Sequence, residues 1–457
     1  MSQWTLPPRG SRIFFAGLGG IGMSALAQLF RSQGYEVAGS DRDISSPAQA
    51  HLFSQLAQQG IQHFVQDGSG VTQFKPELIV YSTALEEDNP DFIAGQGVER
   101  LHRAAALSAA VAQSGLKPIA VAGSCGKTSV TAWIASALRA LGKTPVMING
   151  GYSPELENDS TPGNFGDGDD FIVFEADESD GSLVNFFPEV SLLLNIGDDH
   201  HSKDKLEIMF RTFLANGKEN VCNQELSYLA SENAKTFAKR DTDAELHSTA
   251  IRHSKQGAEF TLQDGLDVTI HQWGDHSVEN ALAVLAVLEA CGFERQEAAQ
   301  ALSAFRGVRR RFEFKGLLNE ALIYDDYAHN PQKIRACIEA ARQVCNGAIC
   351  VFFQPHGYGP LGFMRDSLLR ELQACLTDED QFVFLPVFYA GGTTSFKPSS
   401  DEVATQYAEA GLNCLSLAER DEAKEHLVKN NFKAALVVGA RDPSLPAWGS
   451  SLTDVEK

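Results

Sequence analysis

The sequence predicts an α/β protein in three successive blocks, in each of which strands and helices alternate. Short apolar runs of strand length alternate with segments whose apolar residues recur at helical spacing, and Gly- or Pro-marked turns separate them. At roughly 100 to 200 residues per domain, 457 residues make two to four domains, each able to bury a core. Hydrophobic residues at 43% and charged residues at 21% exclude a disordered or collagenous chain.

The first block opens on "SRIFFAGLGGIGMSALAQLFRSQGYEVAGSD". A strand runs into a Gly-rich turn, then into a helix with Met23, Leu26, Ala27, Leu29 and Phe30 on its buried side, and a second strand follows. Gly17, Gly19 and Gly22 fit G-x-G-x-x-G, and Asp41 stands nineteen residues after Gly22, where an acidic residue can bind a ribose. Taken alone, this pattern fits a dehydrogenase as well as a turn that merely packs a strand against a helix. Strands follow at "PELIVYSTAL" and "GVERLH", and the helix-like "RAAALSAAVAQSG" closes the block near residue 116.

The second block restarts with the strand "PIAVAGS" and the loop "VAGSCGKTSV". A helix follows, with Val130, Trp133, Ile134, Ala137, Leu138 and Leu141 at helical spacing and Gly142 as its stop. Val121 stands where the longer P-loop pattern has Gly, but strand, Gly-containing loop and helix come in the order a phosphate cradle needs. Amides at the helix start point at an anion, Lys127 supplies a point charge for the β and γ phosphates, and Thr128 a hydroxyl for Mg²⁺. Hard oxygen ligands appear in "DDFIVFEADESD", where Glu175, Asp177, Glu178 and Asp180 follow an apolar strand; the alternative is a solvated acidic loop. "VSLLLNIGDDHH" ends in Asp198, Asp199, His200 and His201. "GDHSVENALAVLAVLEACGF" reads as a helix whose His276 and Asn280 are either N-terminal polar residues or face a nucleotide base. "FRGVRRRFEFKG" puts three arginines at a junction near residue 313, a solvated basic turn or a phosphate contact.

In the third block strands "ALIYDDYAHNP", "AICVFFQPHGYG", "QFVFLPVF" and "AALVVGARD" alternate with helices "QKIRACIEAARQV" and "RDSLLRELQACL". Asp325, Asp326, His329, Asn330 and His356 cluster at strand ends, and Pro331 starts a helix by its fixed φ.

The formal charge of −21 argues against non-specific binding to nucleic acid or anionic membrane, so anionic substrates need local basic groups. Eight scattered Cys without a CxxC pair read as reduced thiols of a cytoplasmic protein. No signal-like segment opens the sequence, and no run of about 18 apolar residues occurs in it.

Taken in order, "GLGGIGMSALA", "GSDR", "STALEEDNP", "GSCGKTS", "EADESDGSL", "NIGDDH", "GVRRRFE", "DDYAHNP" and "FQPH" resemble the Mur ligases of peptidoglycan precursor synthesis over essentially the whole chain. The resemblance is closest to the MurC branch, which joins L-alanine to UDP-N-acetylmuramate. It implies three domains: a Rossmann-like UDP-sugar domain (1–116), a central P-loop ATPase-like domain with a mostly parallel sheet (117–313), and a Rossmann-like amino-acid domain (314–457) that closes over the others. The sugar nucleotide, a UDP-N-acetylmuramate-like molecule, would meet Gly17, Gly19, Gly20, Ile21, Gly22, Asp41, Ser82, His102 and Arg103, and no nicotinamide is required. ATP would meet Gly123, Ser124, Cys125, Gly126, Lys127, Thr128, Ser129, Asn280 and Arg311, with Mg²⁺ on Thr128, Glu175 and His200. Asp326 and His329 would lie beside the acyl phosphate and the incoming amine, with His356 among the substrate-binding residues. Lys127, His200, Arg311, Asp326 and His329 are the implied catalytic set for ATP-dependent amide formation, and L-alanine or another amine is the second partner.

The chain departs from the family pattern at four places. Ser124 and Cys125 replace Thr and His in G-T-H-G-K-T, Gly197 replaces an acidic residue, and Ser202 stands where an Asp follows the metal His, which leaves the number of metals open. Asn330 gives H-N-P rather than H-H-P. In Q-P-H-R-Y-T-R, Gly357 and Pro360 replace two Arg suited to the amino acid's carboxylate; Arg365 swinging in, or an amine other than free L-alanine, are the alternatives. A recycled peptide as substrate, or a nucleotide-binding paralogue without ligation, also stays open at this level. A ligase of the folate-polyglutamate or cyanophycin type has no need of the "GLGGIGMSALA" turn.

Overall fold

The computed structural model describes residues 4–179, 181–197, 202–254, 256–389 and 396–453. The chain forms two compact units: Met1–Ile251 with Glu259–His271 and His276–Val308, and Arg252–Ala258 with Gln272–Asp275 and Arg309–Lys457.

In the first unit β1 (Arg12–Ala16), β2 (Glu36–Asp41), β3 (Gln62–Val65), β4 (Leu78–Tyr81) and β5 (Glu99–His102) form a five-stranded sheet in the order β3-β2-β1-β4-β5. Every pairing is parallel, so all five carboxyl ends share one edge, the doubly wound arrangement in which ligands bind beyond the strand ends. Period-two alternation explains why β1 is central: Ile13 and Phe15 join the core cluster on one face, Phe14 and Ala16 that on the other.

The second sheet comprises β6 (Lys117–Ala122), β7 (Val146–Ile148), β8 (Phe165–Gly166), β9 (Phe171–Glu175), β10 (Val190–Leu193), β11 (Glu219–Asn223), β12 (Lys235–Ala238), β13 (Leu246–Ser254), β14 (Gly257–Leu262) and β15 (Asp267–Ile270). Its order is β15-β14-β13-β12-β11-β10-β6-β9-β7-β8, and β6 is parallel to both β10 and β9. The predicted helix after β6 spans Lys127–Ala140 and buries Val130, Trp133, Ile134, Ala137 and Leu138, with Gly142 beyond its end at φ +76.

In the second unit β16 (Glu313–Leu318), β17 (Ala321–Asp326), β18 (Ile349–Gln354), β19 (Gln381–Phe384), β20 (Cys414–Ser416) and β21 (Ala434–Gly439) run in the order β16-β17-β21-β18-β19-β20. Only β16 is antiparallel. All six residues of β18 are buried, with Ile349, Val351 and Phe353 in one core cluster and Cys350 and Phe352 in the other. At about 1.5 to 3 kcal/mol per large apolar side chain, this two-faced burial fixes the register of the central strands.

The strands the sequence did not announce lie mostly toward the sheet margins: β3 has no buried residue and β16 leaves Phe314 and Leu317 exposed, so neither shows a buried apolar run. The helix expected from Arg365 begins earlier, at Tyr358, because Pro360 falls in the first turn, where its missing N–H costs nothing. None of the eight cysteines forms a disulfide, and no described helix is long and apolar enough to cross a membrane.

Candidate active site

In the first unit the turn after β1 is tied to the end of β2. Gly17 (φ +82) and Leu18 donate their N–H groups to the Ser40 carbonyl, and Gly19 N donates to Asp41 Oδ2 at 2.8 Å. A Cβ on Gly19 would lie 2.8 Å from that carboxylate oxygen, so a side chain there would displace Asp41 from the loop. Asp41 thus holds the loop, and its other oxygen accepts from Asp43 N. The helix Ile21–Ser32 then starts at Gly20 without a side-chain cap, leaving first-turn amides for an anion. Register aligns the next strands: Phe15 pairs with Val80 and Tyr81 with His102, so Gly17, Ser82 and Arg103 come abreast just past the strand ends. His102 caps the following helix, its Nδ1 accepting from Ala104 N at 3.3 Å, and a Cβ on Gly22 would come within 3.3 Å of the Arg103 guanidinium.

The phosphate loop follows β6. Gly123 (φ +136) and Gly126 (φ +89) adopt conformations that side chains rarely take, and a Cβ on Gly123 would sit 3.0 Å from Leu194 Cβ. The loop is fastened to the segment after β10: Asn195 accepts from Cys125 N at 2.8 Å and donates to Cys125 O at 3.0 Å, and Gly197 N donates to Ser124 Oγ at 2.8 Å. Ser124 is buried, Cys125 is exposed, and Ser129 lies in the first turn of the helix. That helix has no side-chain cap at Gly126. The arrangement fits a triphosphate: open amides at a helix start, fixed by a side-chain clamp, with Lys127 beside them.

Lys127 Nζ donates to the carbonyl of Gly123 at 2.6 Å and to Glu178 Oε2 at 2.7 Å, with Glu178 only 2% exposed. Burial pushes the Lys127 ammonium down, but the charges of Glu178 and Asp177 outweigh it and raise its pKa. Burial likewise pushes Asp177 up, while Lys127, Ser179 and Arg103 bring it below the usual carboxylate range. Arg103, from the first sheet's edge, therefore acts on the acidic loop of the second within one compact unit. Thr128 Oγ1 donates to Glu175 Oε2 at 3.2 Å, and Gly150 N to Glu175 Oε1 at 2.6 Å. Asn280 lies against the same loop, its Oδ1 3.1 Å from where a Cβ on Gly126 would be. His200, with Asp180, Asp198, Asp199 and His201, lies outside the described residues. Among the described residues no group of three or more His, Cys, Asp or Glu is placed to hold a metal.

In the second unit the three consecutive arginines separate. Arg309 is half exposed and pairs with Glu313 at 2.7 Å. Arg310 (φ +61) is half-buried, pairs with the buried Asp325 at 3.3 Å and donates to the carbonyls of Gly439 and Ala440. Arg311 lies over the Tyr327 ring, 5.3 Å from its centroid. Burial raises Asp325 to about 6 despite Arg310. Asp326 accepts from Phe312 N at 2.6 Å and Ala328 N at 2.7 Å, and its pKa is raised by burial against the opposing charge of Arg311. The rings of His329 and His356 meet edge to face at 5.2 Å. Burial, then His329, then Arg441 hold His356 down at about 4, so its imidazole is neutral at neutral pH.

Three family models match the chain in order: "Mur ligase family, catalytic domain" over 12–114, "Mur ligase middle domain" over 121–288, and "Mur ligase, glutamate ligase domain" over 310–441. The chain belongs to the Mur ligase family. Among its relatives is a UDP-N-acetylmuramate–L-alanine ligase of Renibacterium salmoninarum, 33% identical over 94% of this chain and 93% of the relative. Another, of the same description from Rhizobium etli, is 32% identical over 98% of this chain and 97% of its own length. The crystal structure of the UDP-N-acetylmuramate-alanine ligase MurC of Thermotoga maritima superposes with a TM-score of 0.80, at 27% identity, over 96% of this chain and 98% of that one. This Mur ligase is accordingly an ATP-dependent enzyme of the carboxylate–amine class.

Within the ligase's first unit the structure gathers Gly123, Ser124, Cys125, Gly126, Lys127, Thr128, Glu175 and Asn280 at one edge, and Gly17, Gly19, Gly20, Ile21, Gly22, Asp41, Ser82, His102 and Arg103 at another. Asn195, the loop's clamp, is not among the sequence-predicted residues, although its signal is a polar residue directly after the buried run Val190–Leu194. It noted Glu178 only as part of an acidic run, not as the partner of Lys127.

Proposed function

We propose that this Mur ligase joins the carboxyl group of UDP-N-acetylmuramate to the amine of L-alanine in peptidoglycan precursor synthesis, in the cytoplasm. The γ-phosphoryl group of ATP passes to the substrate carboxylate, giving an acyl phosphate. The amine then attacks the acyl carbon, the C–N bond forms, and phosphate leaves. The observation that carries the reading is the phosphate loop, with Lys127 beside open helix-start amides and the Thr128–Glu175 oxygen pair 3.2 Å apart, in a chain matching UDP-N-acetylmuramate–L-alanine ligases over nearly their full length.

A carboxylate and a triphosphate repel strongly once water is excluded, and Lys127 and Arg311 are the groups that offset this. Thr128 and Glu175, together with His200, would hold Mg²⁺, which would add positive charge against the same repulsion. In the same reading the turn after β1 takes the sugar nucleotide's pyrophosphate, Asp326 and His329 serve the incoming amine, and the domains divide as 1–116, 117–313 and 314–457.

Phosphate release in the presence of ATP, Mg²⁺ and UDP-N-acetylmuramate, measured across a panel of amino acids and short peptides, tests the proposal. Turnover with L-alanine supports it, and ATP hydrolysis without any amine dependence overturns it. One observation favours a second amine class: Gly357 has φ +146 and a Cβ there would lie 3.2 Å from Pro360, so the arginine the family places at this position is strained here. A peptide amine is therefore part of the panel.

A further inference from the structure

Three chain segments leave the third sheet side by side at its carboxyl edge. Asp326 of β17 pairs with Val438 of β21, and Gln354 of β18 pairs with Gly439 of the same strand. His329 stands three residues beyond Asp326, Arg441 two beyond Gly439 and His356 two beyond Gln354, so the three follow adjacent strands at one edge, with Arg441 after the central one. The two imidazoles reach across the intervening segment to meet at 5.2 Å, and the charge of Arg441 lies near enough to act on His356.

The acidic groups around this edge already have partners. Asp325 is paired with Arg310, Asp326 accepts two backbone amides, and Asp442 is held by Arg420 and by Ser444. Arg441 is exposed and, among the described residues, makes no ion pair or hydrogen bond. A planar guanidinium left open near the His356 imidazole, on the ligand edge of a parallel sheet, suits bidentate capture of a carboxylate. The phosphate groups of both nucleotides have helix-start loops in the first unit, whereas the carboxylate of an amino-acid substrate has no cation assigned once Gly357 and Pro360 replace arginine.

We propose that Arg441 grips the carboxylate of the amine substrate, at the edge where the ligase reading already puts His329 and His356. Both imidazoles lie beside the amine end, and His356, uncharged at neutral pH, does not repel an ammonium group. The inference rests on the ligase reading above and specifies how its amine is recognised.

Steady-state rates of the full chain, its Arg441→Ala variant and its Arg441→Lys variant test it, with L-alanine, ATP and UDP-N-acetylmuramate varied in turn and L-alaninamide as the carboxylate-free probe. Losing a charged bidentate contact is expected to raise KM for L-alanine by roughly 10- to 100-fold in Arg441→Ala. KM for ATP should stay within about twofold, since no phosphate is bound there. Arg441→Lys should recover part of the loss, and the parent's preference for L-alanine over L-alaninamide should vanish in Arg441→Ala. An unchanged KM for L-alanine in an active Arg441→Ala overturns the inference alone, as does an equal rise in KM for ATP, which would mark a phosphate contact. A parent protein that turns over no carboxylate-bearing amine overturns the ligase reading and this subsite together.

Discussion

The phosphate-loop edge of the first unit and the histidine edge of the second both lie where parallel strands end, yet they are built in different ways. The first is made within a few residues: Gly123 to Thr128 supply amides, a lysine and a hydroxyl, and Asn195 clamps the result. The second is made across more than a hundred residues, by the register of β17, β21 and β18, which places His329, Arg441 and His356 at one edge. Local construction tolerates change outside the loop, while construction by register depends on the buried strands staying aligned.

The largest effect should come from Lys127→Ala. Phosphate release is expected to fall by at least about 10³-fold, because the charge that stabilises the transferred phosphoryl group is gone. Glu178, only 2% exposed, then loses its partner, and breaking a buried pair costs about 3 to 5 kcal/mol. The double variant Lys127→Ala, Glu178→Gln should therefore regain much of the denaturation midpoint while remaining inactive. Activity returning with the midpoint would show that Lys127 is structural.

Arg310→Ala probes the register-built edge. It leaves Asp325 buried without its counter-charge and frees the carbonyls of Gly439 and Ala440, so unfolding stability should fall by about 3 to 5 kcal/mol. Urea unfolding measures this, and a loss below about 1 kcal/mol would contradict the assignment.

The same three arginines show where sequence stops being informative. Arg309, Arg310 and Arg311 are identical as letters, and only the left-handed φ values at Arg310 and Phe312 turn them toward a surface pair, the buried Asp325 and an aromatic face. The phosphate loop was legible because strand, glycines, Lys127 and helix are contiguous, and β1, β6, β17, β18 and β21 were legible as buried apolar runs. Marginal strands such as β3 and β16 carry no such run. Arg441 was not singled out, because its neighbours are fixed by pairing between strands remote in sequence.

A smaller effect concerns pH. His356 is held at about 4 against an ordinary 6.5, chiefly by burial, so the unfolded chain takes up its proton first as pH falls. Its contribution therefore erodes stability between those two values and is absent above them. Denaturation midpoints of the parent should drop more from pH 7 to pH 5 than those of His356→Gln, and in Arg441→Ala the imidazole should titrate at higher pH, which NMR can read. Equal drops in parent and variant would contradict the burial account. The smallest effect is expected for Arg309→Ala, whose half-exposed pair with Glu313 is worth no more than about 0.5 kcal/mol; a larger loss by the same urea titration would mean that all three arginines act as one cluster.

If the phosphate loop drives amide formation rather than idle hydrolysis, ATP cleavage and amide synthesis are coupled one to one. Phosphate and amide product should be followed together in a mixture of ATP, Mg²⁺, UDP-N-acetylmuramate and L-alanine. The two should appear in equal amounts, and omitting the sugar nucleotide or the amine should stop both. Phosphate released without amide, or at a rate indifferent to the amine, would contradict it.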